Sequence, residues 1–324
     1  MAEFLMPAEW EPHVRTWMCW PCRAGVWPDM AAAKRAYADV ARAVAAFEPV
    51  MMAANPADAD EAAAIAGVEI FPEELDDSWA RDIGPTFVKG HKGDRAAIGW
   101  RFNAWGGKYA PFDQDAQFAA RLAARAGVPL HPASIVCEGG AIHSDGRGML
   151  LTTEQCLLNP NRNPGLTREA AADVLRYAVG AEHVVWLGSG FSDDETDGHI
   201  DNIACFAAPG KVILGIPDSA GHPDHQPVRV ARARLKAAGL EVIELLQPRN
   251  IRRDGRDRLL QTSYVNFYLC NGGLVMPSFD DPHDGRARDT LAECFPGRDI
   301  AVVSALAIVA GGGGIHCITQ QEPE

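Results

Sequence analysis

Five times along this chain an Ala-rich, helix-like segment runs into a glycine and then into a short apolar stretch. The glycines are Gly67, Gly127, Gly180, Gly239 and Gly297, spaced 60, 53, 59 and 58 residues apart. The second unit, Leu122-Ala-Ala-Arg-Ala-Gly127-Val-Pro-Leu130, is typical. Glycine is the usual residue where a helix ends in a left-handed turn before a strand. A nearly constant interval marks an internal repeat, and a repeat dictates the architecture more strongly than any local propensity.

Between the units the sequence reads as hairpins. Ile142-His-Ser-Asp-Gly-Arg-Gly-Met-Leu-Leu151 has a turn cluster between apolar arms. Residues 200–206 and 212–216 flank Ala208-Pro-Gly-Lys211, and residues 264–269 and 274–276 flank Cys270-Asn-Gly-Gly273. The repeat is therefore strand, strand, helix, strand: an α/β chain whose five ββαβ units are expected to stand radially, which removes long free sheet edges. Residues 31–47 place Tyr37, Val40, Ala41, Val44 and Phe47 on one helical face before the series begins. With Trp17-Met-Cys-Trp20, this helix is expected to complete the last unit and close the ring. No low-complexity linker interrupts the chain, so residues 1–324 are expected to form one domain. Residues 247–258, with five arginines, read as an exposed loop.

The repeat also places the polar residues. Asp82 lies 15 residues after Gly67, Glu138 lies 11 after Gly127, His199 and Asp201 lie 19 and 21 after Gly180, and Cys317 lies 20 after Gly297. In a pseudo-symmetric ring, equivalent positions converge on the axis, so these five residues are expected around one cavity. Singly, each has an ordinary structural reading. Asp82 can pair with Arg81, Glu138 can serve a hairpin, His199 and Asp201 can bond to each other, and buried cysteines are usually inert. Jointly, those readings leave the recurrence unexplained. His199-Ile-Asp201 alternates, so on a strand both side chains share a face. By the same rule His316 is expected to point away from Cys317, and it is assigned with His143 to structure.

Composition narrows the chemistry. A formal charge of −13 and a pI near 5.2 argue against a nucleic-acid partner and suit a cationic one. The longest nearly uninterrupted apolar run, residues 300–310, is half what a membrane span needs, and residues 1–9 do not read as a signal peptide. A cytoplasmic, membrane-free protein is expected, its eight cysteines reduced. Cys19-Trp-Pro-Cys22 has redox-motif spacing but follows no βαβ pattern and has no partner pair for zinc.

Carboxylates crowded together in a buried place stay ionised only by sharing a cation. A metal is one such cation, but one histidine with carboxylates makes a poor zinc site. A planar guanidinium held bidentately by Asp82 and Asp201 fits better. Cys317 would then attack its carbon, with His199 as acid/base oriented by Glu138.

At these residues the chain resembles the agmatine deiminase and bacterial peptidyl-arginine deiminase family of the guanidine-modifying pentein superfamily. The resemblance is carried by Trp17-Met-Cys-Trp-Pro21, Asp77-Ser-Trp-Ala-Arg-Asp-Ile-Gly-Pro85, Phe102-Asn-Ala-Trp-Gly-Gly107, Glu138-Gly-Gly140, Leu151-Thr-Thr-Glu-Gln-Cys156, Asn161-Arg-Asn-Pro164, Gly198-His-Ile-Asp-Asn202, Tyr264-Val-Asn-Phe-Tyr268 and the run from Gly311 to Gln321. It implies a five-bladed α/β propeller and a single guanidine-modifying catalytic domain. It also implies hydrolysis of agmatine to N-carbamoylputrescine and ammonia, a step towards putrescine in polyamine biosynthesis. The implied roles are Cys317 as nucleophile, His199 with Glu138 as acid/base pair, Asp82 and Asp201 as guanidinium ligands, and Trp79 as a substrate-packing residue. No metal or organic cofactor is implied, and a homodimer is expected from the family habit.

Three stretches depart from the family pattern: Gly314 stands where asparagine is usual, Ser304-Ala-Leu-Ala-Ile-Val309 lacks a charged Arg-Glu pair, and residues 219–262 match poorly. The alternatives left open are a deiminase of peptidyl-arginine, free arginine or another guanidine, an amidinotransferase, and a non-catalytic guanidine-binding protein.

Overall fold

Four sheets of the computed structural model, which describes residues 3–324, share one plan. Thr86–Gly90 and Arg95–Arg101 pair antiparallel, the helix Asp115–Ala126 crosses over, and Leu130–Val136 returns parallel to the second strand. The same order joins His143–Ser144, Met149–Thr152, the helix Arg168–Val179 and His183–Trp186. It recurs with Ala204–Ala208, Lys211–Ile216, His225–Ala237 and Glu241–Leu246. Tyr268–Cys270, Gly273–Ser278, Asp284–Cys294 and Asp299–Ser304 make the fourth.

Each crossover helix presses one leucine inward. Leu122, Leu175, Leu235 and Leu291 are all buried, each contributing about 1.5–3 kcal/mol of transfer free energy. The glycine that follows takes the left-handed backbone expected of it: φ is 71° at Gly127, 71° at Gly180, 77° at Gly239 and 84° at Gly297.

The fifth sheet joins the two ends of the chain. Thr319–Pro323 lies antiparallel to His13–Cys19, which is followed in parallel by Val50–Ala54 and then Glu69–Pro72. Trp17 and the C-terminal strand thus meet as the sequence suggested, Trp17 Nε1 donating to Glu322 Oε2 at 3.0 Å.

The place of Gly67 is different from the one expected. The crossover equivalent to those above is the helix Met30–Ala45, which lacks a terminal glycine; Ala59–Ala66, Gly67 and Glu69–Pro72 form an additional unit at the sheet's outer edge. Gly67 still caps its helix with φ 73°, so local helix termination was read correctly and its sheet position was not. Phe4–Leu5 likewise adds a strand to the edge of the Thr86–Gly90 sheet.

No helix among the described residues is long and apolar enough to cross a membrane. Residues 247–258 form a largely exposed connection, tied down where Asp281 accepts the backbone N–H groups of Arg249 and Asn250.

Candidate active site

Each sheet has a short segment just before its first strand, and the site is built from those segments. Asp82 precedes Thr86–Gly90, Glu138 precedes His143–Ser144, His199 and Asp201 precede Ala204–Ala208, and Cys317 precedes Thr319–Pro323. The fourth sheet supplies Asn266, just before Tyr268–Cys270, a residue the sequence reading had left without a role. These segments are single helical turns rather than strands: Ala80–Ile83, Gly139–Ala141, Ile200–Asn202 and His316–Ile318.

His199 and Asp201 therefore do not alternate along a strand: His199 stands at the start of a 3₁₀ turn and Asp201 lies within it. A turn of the same kind overturns the expectation for His316: its Nδ1 lies 3.0 Å from Asp201 Oδ2, beside the thiol.

All five expected residues are buried and together. Cys317 Sγ lies 3.4 Å from Asp201 Oδ2 and 3.4 Å from Asn266 Nδ2. His199 Nε2 is 3.5 Å from Glu138 Oε2 and its Nδ1 is 3.8 Å from Asp82 Oδ1. Gly140 makes this crowding feasible. A Cβ there would stand 2.6 Å from His199 Nδ1, 2.9 Å from Asp201 Oδ2 and 3.0 Å from Asp82 Oδ1. Its N–H donates to Asp82 Oδ1 at 3.0 Å, so backbone occupies the centre where any side chain would clash.

Charge is distributed unevenly. Burial lifts the Asp82 carboxyl above the usual range; His199 opposes this while Asp201 and Glu138 add to it. Asp201 is equally buried, yet the hydrogen bond and charge of His316 hold it below that range. Burial also opposes ionisation of Glu138, but His199 and the Arg162 guanidinium, 2.7 Å away, hold its carboxyl low. Burial works against a charged His199, and Asp82 foremost, then Cys156 and Glu138, outweigh it and push the imidazole well up. The Cys317 thiol is pushed well up by burial, then by Asp201 and Asp82, while the Gly314 backbone and then Asn266 act in the opposite direction. Neither ring nitrogen of His199 meets hydrogen-bond geometry, and Asp201 Oδ1 is buried with no partner among the described residues. Buried polar atoms are seldom left unpaired, and clustered ones suggest acceptors and donors kept for a ligand.

A cleft of about 310 Å³ reaches Cys317 and Asp82 between Trp79, Trp105, Tyr109, Glu195 and the glycine run. Trp105 Nε1 donates to Asp82 Oδ2 at 2.9 Å, and Trp79 stacks on Trp27 with centroids 5.3 Å apart. The glycines of residues 311–313 make way for these rings: a Cβ on Gly311 would stand 2.3 Å from Trp27, and one on Gly313 2.5 Å from Trp79. Trp105, Arg162 and Asn266 escaped the sequence reading as site residues, although all three lie within the stretches that carried the resemblance.

Glu138, Cys156 and His199 bring one possible metal-ligand atom each within 4.8 Å of one another. Arg162 already donates to Glu138 Oε1, and a cation beside the guanidinium would be repelled. Cys19 is buried and Cys22 half-buried, and both are free.

The chain matches the family model described as Porphyromonas-type peptidyl-arginine deiminase over residues 5–323. It is 41% identical to the agmatine deiminase of Stutzerimonas stutzeri and 40% to that of Pseudomonas aeruginosa, in each case over 99% of this chain and 95% of the relative. Among solved structures, the agmatine deiminase of Enterococcus faecalis superposes with a TM-score of 0.95 at 34% identity, covering 99% of this chain and 96% of that one. A C. jejuni agmatine deiminase with substrate bound gives a TM-score of 0.92 at 26% identity, over 99% and 96% of the two chains.

Proposed function

The chain belongs to the Porphyromonas-type peptidyl-arginine deiminase family, and from that premise we propose that it is an agmatine deiminase, releasing ammonia and N-carbamoylputrescine. The observation that carries the reading is the unbonded set that adjoins Asp82 and Cys317 of the cleft: Asp201 Oδ1, whose carboxylate reaches the thiol at 3.4 Å, and both nitrogens of His199, whose Nδ1 is 3.8 Å from Asp82. A guanidinium lying between Asp82 and Asp201 supplies what the carboxylates lack, a shared planar cation with paired donors.

Its arrival also favours ionisation of Cys317, whose proton leaves to solvent, because the carboxylate charge that added to burial in raising the thiol is neutralised. The thiolate forms a C–S bond to the guanidinium carbon. His199 passes its proton to the departing nitrogen as the C–N bond breaks and ammonia leaves, so an S-amidino thioether remains on Cys317. His199, now neutral, takes a proton from water as the water oxygen bonds to the same carbon. As the C–S bond breaks, the proton of the new hydroxyl passes to the sulfur, which releases the ureido product and restores the Cys317 thiol. Positioned proton transfer of this kind contributes about 10²–10⁴-fold. Glu138, fixed by Arg162, keeps the imidazole charged for the first half.

The choice of agmatine over free arginine rests on the agmatine deiminases at 40–41% identity; the wider outer cleft of about 1050 Å³ is lined by Glu195 together with Arg256 and Arg258, and Glu195 already pairs with Arg258 at 2.7 Å. In this reading the five sheets are the blades of one α/β propeller forming a single catalytic domain, with Trp79 packing on the substrate. No step needs a metal or an organic cofactor.

Cys317→Ser is expected to lose turnover while its circular dichroism is unchanged. Ammonia release from agmatine at the wild-type rate by that variant would refute the proposal. Incorporation of labelled water oxygen into the product is expected, and transfer to an amine instead would mark an amidinotransferase.

A further inference from the structure

Four of the five sheets send an expected site residue to the centre, and the remaining one, that of Tyr268–Cys270, sends Asn266 from the equivalent place. Its side-chain orientation is set by its neighbours. The N–H of His316 donates to Asn266 Oδ1 at 2.8 Å, so that atom is the carbonyl oxygen and the other is the amide nitrogen. Nδ2 then faces three acceptors with two hydrogens: Asn202 Oδ1 at 3.0 Å, the Asp201 carbonyl at 3.3 Å and Cys317 Sγ at 3.4 Å. Asn266 is buried, and a Cβ on Gly314 would stand 2.3 Å from its Oδ1. The residue that departs from the family pattern therefore leaves the space this amide occupies.

Sγ thus sits between an acceptor and a donor, Asp201 Oδ2 on one side and Asn266 Nδ2 on the other. We propose that Asn266 is a catalytic residue that receives the Cys317 sulfur as it ionises: the resting thiol donates to Asp201, and the thiolate accepts from Asn266. This rests on Cys317 being the nucleophile. When a guanidinium takes Asp201, the S–H keeps only the longer contact to Asn266 Oδ1 at 3.7 Å and its proton leaves to solvent, while an anionic sulfur becomes the strongest of the three acceptors open to Nδ2. A donor aimed at the charge that develops needs no reorganisation during the reaction. The other charged groups around the sulfur are Asp82, with His199, Glu138 and His316 one contact further out.

The test is the pH profile of Cys317 alkylation by iodoacetamide, read by mass spectrometry in wild type, Asn266→Asp and Asn266→Leu. The first variant keeps the acceptor for His316, and the second adds no charge. Both are expected to move the alkylation midpoint up by about one to two pH units and to lower kcat roughly ten- to a hundredfold with a smaller change in KM. In the unmutated enzyme the Asn266 side-chain amide protons should shift downfield through the wild-type midpoint, and should not in Cys317→Ser, a readout that stands even if both variants misfold. A midpoint that moves only in Asn266→Asp would reduce the effect to added charge and overturn the proposal, as would amide protons that ignore the titration. If Cys317→Ser keeps its turnover, the deiminase reading has failed; if that variant is dead while the Asn266 profiles superpose on wild type, only the role of Asn266 has.

Discussion

Two buried histidines flank the Asp201–Cys317 pair and are held in opposite ways. His316 is tied at both nitrogens, Nδ1 to Asp201 at 3.0 Å and Nε2 to Glu9 at 2.8 Å, and Glu9 in turn meets Arg81 and His143. His199 sits among carboxylates at 3.5 and 3.8 Å, bonded to none in good geometry. Both imidazoles are pushed up, against burial, by neighbouring carboxylates. The difference is freedom. A tied imidazolium fixes the charge of its partners, and a loosely held one can give its proton away. Polar groups fully satisfied by one another rigidify a core, whereas those left unsatisfied mark where a reaction draws on them.

The sharpest way to break the comparison is to remove each ring's function. His199→Gln is expected to lower kcat by about 10²–10⁴-fold while moving the urea midpoint less than changes at the other histidine do. Glu9→Gln, which unties His316, is expected to cost about 3–5 kcal/mol in urea unfolding, the magnitude for breaking a buried ion pair from one side. If the two variants exchanged phenotypes, the division between a mobile and a fixed histidine would be wrong.

Acid should separate the same two halves. Glu9 and Asp201 ionise below their ordinary range in the folded protein, so their stabilisation is complete above the unfolded values of about 4 and is lost as pH falls through the depressed folded ones. Asp82 runs the other way. Its raised carboxyl protonates earlier as pH falls, so agmatine affinity, read as KM, is expected to weaken at a pH where the fold is still intact. Coincident loss of affinity and of structure would count against this. The smallest effect belongs to the scaffold: Gly127→Ala, forced to φ near 71°, should destabilise by about 1 kcal/mol without changing kcat.

Much of the site was legible because the repeat made it so. Five glycines at near-equal intervals located the helix ends, and the residues 11 to 21 positions beyond them turned out to lie together, Asp82 and Cys317 on the cleft and the others against them. The offsets succeeded even though Gly67 belongs to an added edge unit, because Asp82 still leads into the first strand of its sheet. Asn266 occupies the same place in its unit but was missed: the long connection over residues 247–262 stretches the spacing, and an uncharged amide carries no signal of chemistry in a sequence. His316 was misread for a different reason. Side-chain direction depends on whether the backbone is extended or turned at 3₁₀ pitch, and over three residues sequence pattern cannot distinguish the two.

Composition, the glycine interval and the sparse Cys, His and acidic residues were enough to determine an α/β repeat with a thiol, an imidazole and carboxylates at its centre, since helix termination and side-chain chemistry are local properties. What only the tertiary structure decided is which oxygen meets which nitrogen. Gly140 and Gly314 let backbone and amide approach where a Cβ would collide. His316 lowers one aspartate while burial raises the other. Those are properties of distance, and distances between residues remote in the chain are set by packing.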